Sequence, residues 1–233
     1  MLAKRIIPTM LVRGRTLVKG ERFAGDRSIG HVLQAAKVHA RRGVDELCIL
    51  DIGATAEGRE PDLEMVRELS AGCFIPITVG GGVRTIKHID DLLRAGADKV
   101  CIHSGRGVIP QASQRFGRQA IVYSLDVGPG TSHKSVAEAA RNFEALGVGE
   151  ILLQSMDRDG TMQGYDLGLI RSVSAAVDIP VIASGGCSGY PDMVEAFKAG
   201  ADACAAGALF AFTDATPKGA AQFLKRNHIE VRA

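Results

Sequence analysis

The chain has no tryptophan and only three tyrosines in 233 residues, so it offers no aromatic stripe on which nucleic-acid bases could stack. It has no run of lysine and arginine, and a net charge of +2 is too small to build a nucleic-acid surface. Cysteine is sparse and scattered: Cys48, Cys73, Cys101, Cys187 and Cys204 form no Cys-x-x-Cys pair, and their number is odd. This argues against a disulfide framework or a zinc ribbon and for a reducing, cytoplasmic compartment. The six histidines are dispersed, so no metal site can be read, and no cofactor is expected. No apolar run approaches the ~18 residues of a membrane span. The opening residues lack the apolar core of a signal peptide, because Pro8 follows only two isoleucines. These absences leave a soluble protein and a small, anionic metabolite as its ligand.

With 46% hydrophobic residues the chain can bury a full core, and its length suits one α/β barrel, so residues 1–233 read as one domain. Short β-branched runs alternate with helical patterns: Arg5 to Pro8, Leu47 to Ile52, Ile77 to Val79, Val100 to His103, Ala120 to Leu125, Ile151 to Ser155, Val181 to Ala183 and Ala203 to Ala206. Runs apolar on both faces and separated by helices predict a parallel sheet. Eight of them favour closure into a (β/α)8 barrel over an open doubly wound sheet.

An internal repeat strengthens that choice. Ile75-Pro76-Ile77-Thr78-Val79 runs into Gly80-Gly81-Gly82, and Ile179-Pro180-Val181-Ile182-Ala183 runs into Ser184-Gly185-Gly186, at an offset of 104 residues. At the same offset Gly96-Ala97-Asp98 matches Gly200-Ala201-Asp202, and Gly43-Val44-Asp45-Glu46 matches Gly147-Val148-Gly149-Glu150. Two four-strand halves therefore make one barrel. Its working end is expected where the strands run out into loops, the first being the long Leu11 to Gly25 segment, a candidate mobile lid or an ordinary surface loop.

Glycine turns at helix starts let backbone N–H groups approach an anion closely. Gly81, Gly82 and Ser104 form one such concavity, and Gly185, Gly186, Ala206 and Gly207 its mirror, so the ligand is expected to have two phosphates or two anionic ends. Asp51, Asp126, Asp157 and Asp159 stand at strand ends as proton-transfer candidates. Asp126 closes an otherwise apolar strand and is suited to act as a general acid, unless it merely caps the following turn. Asp157-Arg158-Asp159-Gly160 is similar to the opening of a calcium loop, but Gly168 takes the place of the bidentate glutamate, which excludes calcium. At the other end, Arg5, Glu46, Lys99 and Glu150 begin strands and could close a neutral ring or form a solvated rim.

In order along the chain, Met1-Leu2-Ala3-Lys4-Arg5-Ile6-Ile7-Pro8, Asp45-Glu46-Leu47, Val79-Gly80-Gly81-Gly82, Gly96-Ala97-Asp98-Lys99-Val100, Asp157-Arg158-Asp159-Gly160-Thr161, Gly164-Tyr165-Asp166 and Ala183-Ser184-Gly185-Gly186 resemble the cyclase subunit family of imidazole glycerol phosphate synthase, from histidine biosynthesis. The resemblance implies a barrel that docks a glutaminase subunit on its floor, conducts ammonia through its centre and uses it on a bisphosphate ribulosyl substrate. It implies an ammonia gate at Arg5, Glu46, Lys99 and Glu150, a partner contact at Asp98, and a lid lysine at Lys19. It further implies phosphate contacts at Gly82, Ser104, Asp159, Gly160, Gly186, Ala206 and Gly207, with His103 beside them.

Two departures stand out. The family closes its imidazole ring with a pair of aspartates; the second is Asp126, but the first position holds Leu11, which cannot transfer a proton. The loop after Asp126 is also short. Both argue against ordinary lyase and cyclase turnover. The Leu11 departure and the Gly58-Arg59-Glu60-Pro61 loop, with the Asp157 to Leu167 stretch, are similar to a paralogous branch associated with glycosyl amidation, which passes ammonia to a sugar amidotransferase acting on surface polysaccharides.

Overall fold

The computed structural model describes residues 3–231; Met1 and Leu2 of the opening motif, with Arg232 and Ala233, lie outside the described residues. The strands are β1 (Arg5–Arg13), β2 (Thr16–Glu21), β3 (Ala24–His31), β4 (Leu47–Asp51), β5 (Ile77–Gly80), β6 (Lys99–Ile102), β7 (Ile121–Val127), β8 (Glu150–Ser155), β9 (Val181–Ser184) and β10 (Ala203–Ala206). The helices are α1 (Val32–Arg41), α2 (Leu63–Gly72), α3 (Ile86–Ala95), α4 (Ile109–Phe116), α5 (His133–Ala145), α6 (Leu167–Ser174), α7 (Tyr190–Lys198), α8 (Ala208–Phe212) and α9 (Pro217–Arg226). Eight strands, β1 and β4 to β10, pair in parallel, and β10 returns to β1 through Arg5↔Ala203 and Pro8↔Ala206. The fold is a closed (β/α)8 barrel.

Period-two alternation sorts the strand side chains into two cores. Ile7, Cys48, Cys101, Val122, Leu152 and Ile182 pack inside the barrel with Ala203 and Ala205. Their sequence neighbours, such as Ile6, Ile49, Val100, Ile151 and Val181, pack outward against the helices. All five cysteines are buried and free.

The repeat has a structural counterpart in each half. Asp62 caps α2 by accepting Met65 N–H at 2.9 Å, and Asp166 caps α6 by accepting Leu169 N–H at 2.9 Å. After α3, a Cβ on Gly96 would meet Ser70 Oγ at 2.3 Å; after α7, one on Gly200 would meet Ser174 Cβ at 2.8 Å.

One expectation is corrected. The Leu11 to Gly25 segment is not a loop: β1 runs on to Arg13 and turns back through β2 and β3 as an antiparallel hairpin. The hairpin tip places Arg22 and Phe23 at φ 51° and 61°, two consecutive left-handed residues as in a type I′ turn, without the glycine that usually signals one.

Candidate active site at the barrel mouth

The hairpin leans over the end of the barrel where the strands run out. Beneath it lies a cavity of about 300 Å³, whose lining includes Gly81, Gly82, His103, Ser104 and Asp126. A smaller recess of about 20 Å³ adjoins it, lined by Gly160, Gly185, Gly186, Ala206, Gly207 and Lys19. Leu11, Gln154 and Asp159 border both. The two glycine turns thus flank one elongated hollow. They are built alike: a Cβ on Gly81 would meet Asp51 O at 2.4 Å, and one on Gly185 would meet Ser155 O at 2.5 Å. Both glycines take positive φ, 111° and 93°, so close backbone packing and left-handed geometry each require glycine there.

Lys19, on β2, explains why the second recess is small. Its Nζ donates to Asp159 Oδ1 at 2.9 Å, and both residues are buried. The tip follows, since Arg22 N–H donates to Asp159 O at 2.8 Å. A buried ion pair and a backbone bond therefore fasten the hairpin to the β8–α6 loop. Its base is fastened separately, by Arg15 bonded to Asp62, Glu64 and Glu68.

Asp126 lies on β7, opposite β1 in the strand order, and Leu11 of β1 lines the same cavity. Asp126 Oδ1 accepts from Ser124 Oγ at 2.7 Å, and His103 Nδ1 stands 3.4 Å from Oδ2. These contacts hold the carboxylate across the cavity rather than on the turn after it. Asp51 lines the same cavity but is differently engaged. It accepts from Gly53 N–H at 3.0 Å, Ala54 N–H at 3.1 Å and Arg59 Nη1 at 2.8 Å. With its lone pairs so occupied, Asp51 is a loop anchor rather than a proton shuttle. Asp157 is exposed.

Two lining residues escaped the sequence reading. Gln154 Oε1 and Thr9 Oγ1 are buried without hydrogen-bond partners, and both residues line the second recess. Buried polar atoms are normally paired, so these can accept from a ligand. The signal was available for Gln154: counting by twos from Glu150 along β8 points it inward.

Below the mouth, the inner core is apolar. Burial, reinforced by Asp126, pushes the Cys101 thiol up to about 12, and burial holds that of Cys48 well above its usual range. Both stay protonated at neutral pH, so the inner core holds no thiolate. At its foot, Arg5, Glu46, Lys99 and Glu150 form a closed ring. Arg5 Nη1 donates to Glu46 Oε2 at 2.7 Å and Nη2 lies 3.1 Å from Glu150 Oε2; Lys99 Nζ donates to both glutamates at 3.0 Å. Burial alone would lower the pKa of Arg5, but Glu150 and Glu46 outweigh it and hold it raised. Thr78 Oγ1 donates to Glu46 Oε1 at 2.5 Å, a contact not read from the sequence. Asp98 stands at the same end, exposed.

The fold and mouth define a two-half (β/α)8 barrel with paired glycine turns, a hairpin cover and a charged floor. The profile of the family described as Histidine biosynthesis protein matches residues 5–216, and the chain belongs to that family. It is 40% identical over 251 aligned residues to "Imidazole glycerol phosphate synthase subunit HisF" of Bacillus cereus (strain G9842), with 100% of each chain covered.

Proposed function

We propose that this chain is the ammonia-accepting barrel of an imidazole glycerol phosphate synthase-type complex. A partner glutaminase on the floor releases ammonia beneath the ring of Arg5, Glu46, Lys99 and Glu150. In this reading the apolar inner core serves as a bore that leads it to a bisphosphate-like ligand at the mouth. An apolar bore suits neutral ammonia, because an ammonium ion would lose hydration there without a fixed counter-charge. The two glycine turns hold the ligand's ends, one with Ser104 and His103, the other with Gly160, Ala206 and Gly207 under Lys19.

One observation carries the finer reading: Leu11 lines the cavity where ring closure needs a second proton-transfer group opposite Asp126. Losing one of two cooperating acid/base groups costs ~10²–10⁴ in rate. The cyclase step is therefore weak in this reading, and the ammonia is delivered to another acceptor, a surface-polysaccharide sugar amidated by a separate enzyme. A working cyclase of histidine biosynthesis is the second reading, favoured by identity across the whole length of the B. cereus relative.

The test supplies purified chain with the ribulosyl bisphosphate and excess ammonium. Little imidazole glycerol phosphate should form, and Leu11→Asp should raise the rate by ~10²-fold or more. Robust turnover by the native chain, unchanged or lowered by Leu11→Asp, would decide for the second reading.

A further inference from the structure

A second cavity, of about 200 Å³, lies outside the bore between β1, the β2–β3 hairpin, α1 and α8. Leu17, Val18, Ile29 and Phe210 give it an apolar wall. Neither ammonia passage nor ring closure uses these residues. Lys19 and Gly207 form the partition between it and the recess at the second glycine turn.

Besides Thr9 and Lys19, the lining has two polar residues from the C-terminal end of α1, His39 and Arg42. His39 Nδ1 is buried without a hydrogen-bond partner, a rare condition that marks a place for a ligand or water. The imidazole meets Phe210 edge-on, with ring centroids 6.3 Å apart at 70°. Burial, with Arg42 adding to it, pushes its pKa down to about 4, so the ring is neutral near pH 7 and can donate from one nitrogen. Arg42, also on the lining, is exposed, and its guanidinium makes no ion pair among the described residues. A dry cavity of about 150 Å³ holds benzene, so this one has room for a ring and a small head group.

The geometry points to a second ligand site, one that takes a compact carboxylate with a ring-sized apolar body. The head group lies toward His39 and Arg42, and the body packs against Phe210 and Val18.

Phenylacetate is the probe, with 2-phenylethanol as its neutral counterpart, each titrated while the NMR signals of His39 and Phe210 are followed. Phenylacetate should shift both saturably. Arg42→Gln should weaken phenylacetate roughly tenfold, the worth of one charge-assisted hydrogen bond, and leave 2-phenylethanol unchanged. Ala35→Phe, from the lining, should fill the cavity and abolish both responses. Absence of a saturable shift at His39, equal phenylacetate affinity in Arg42→Gln, or binding that survives Ala35→Phe overturns the site. Should Ala35→Phe fail to fold, the exposed Arg42 variant decides alone.

Discussion

Asp98 and Asp202 do one job in the two halves of the barrel. The Asp98 carboxylate accepts the N–H of Ile77 at 2.8 Å, and the Asp202 carboxylate accepts that of Val181 at 3.1 Å. Each clips the start of one strand to the start of the next. They differ in charge balance, since Lys4 lies 2.9 Å from Asp202, whereas Asp98 has no ion pair among the described residues. The charge on Asp98 is therefore surplus to the clip.

From this difference, Asp98→Asn should leave the melting temperature unchanged, because an amide oxygen still accepts from Ile77. It should weaken association with the proposed glutaminase partner roughly tenfold, measured by calorimetry. Unchanged association would reduce Asp98 to a strand clip.

Glu46 is the most tightly held member of the floor ring, with its side chain 3% exposed and three partners. Glu46→Gln keeps the shape but leaves two part-buried cations short of charge, and should cost about 3 kcal/mol in urea denaturation. Glu150→Gln, at a side chain 12% exposed, should cost less. The reverse order would contradict this account of the ring.

Lys19→Gln should loosen the hairpin more than the barrel. Arg22 lies at the tip and Arg27 on β3 beyond it, so trypsin cleavage there should quicken while the global unfolding midpoint moves little, as the base stays anchored by Arg15. Loss of the barrel's own stability in parallel would show the hairpin to be part of the core.

Gly186→Ala should fail on two counts. The residue sits at φ 98°, and its Cβ would meet Gly164 O at 2.3 Å. A cost of about 1–3 kcal/mol is expected, with loss of pyrophosphate binding read by calorimetry. Native-like pyrophosphate affinity would remove this turn from the proposed anion site.

His39 sets a pH dependence. Its folded pKa, lowered to about 4 first by burial and then by Arg42, lies below the unfolded value of 6.5. The unfolded chain therefore binds more protons between these values, and stability falls as pH drops through that window. His39→Phe should remove on the order of 2 kcal/mol of that slope, measured as urea denaturation at pH 7 and pH 4.5. Parallel curves for the two proteins would show that His39 titrates normally.

The barrel was legible because its strands are covered on both sides and so read as unbroken apolar runs. All eight runs fall on barrel strands. The hairpin was not. In β3 only Ile29 is even partly buried, so Ala24 to His31 offers no periodic face. The glycine turns could be read from the 104-residue offset alone, since no side chain can replace them. Asp51 could not be separated from Asp126, because what distinguishes them is the neighbour each meets. Arg59 reaches Asp51 across a loop whose path no spacing rule fixes, whereas Ser124 lies two positions from Asp126 on the same strand face.

The five free thiols, none of them exposed, sit in different compartments. Cys48 and Cys101 belong to the inner core, while Cys187 and Cys204 neighbour Tyr165 behind the second glycine turn. A thiol reagent reacts with a thiolate it can reach, so none should react while the fold is closed. Their reaction rates form a built-in clock for opening. Cys48 and Cys101 time the parting of the inner core, and Cys187 and Cys204 time the lifting of the helical layer from β9 and β10, without any label being added.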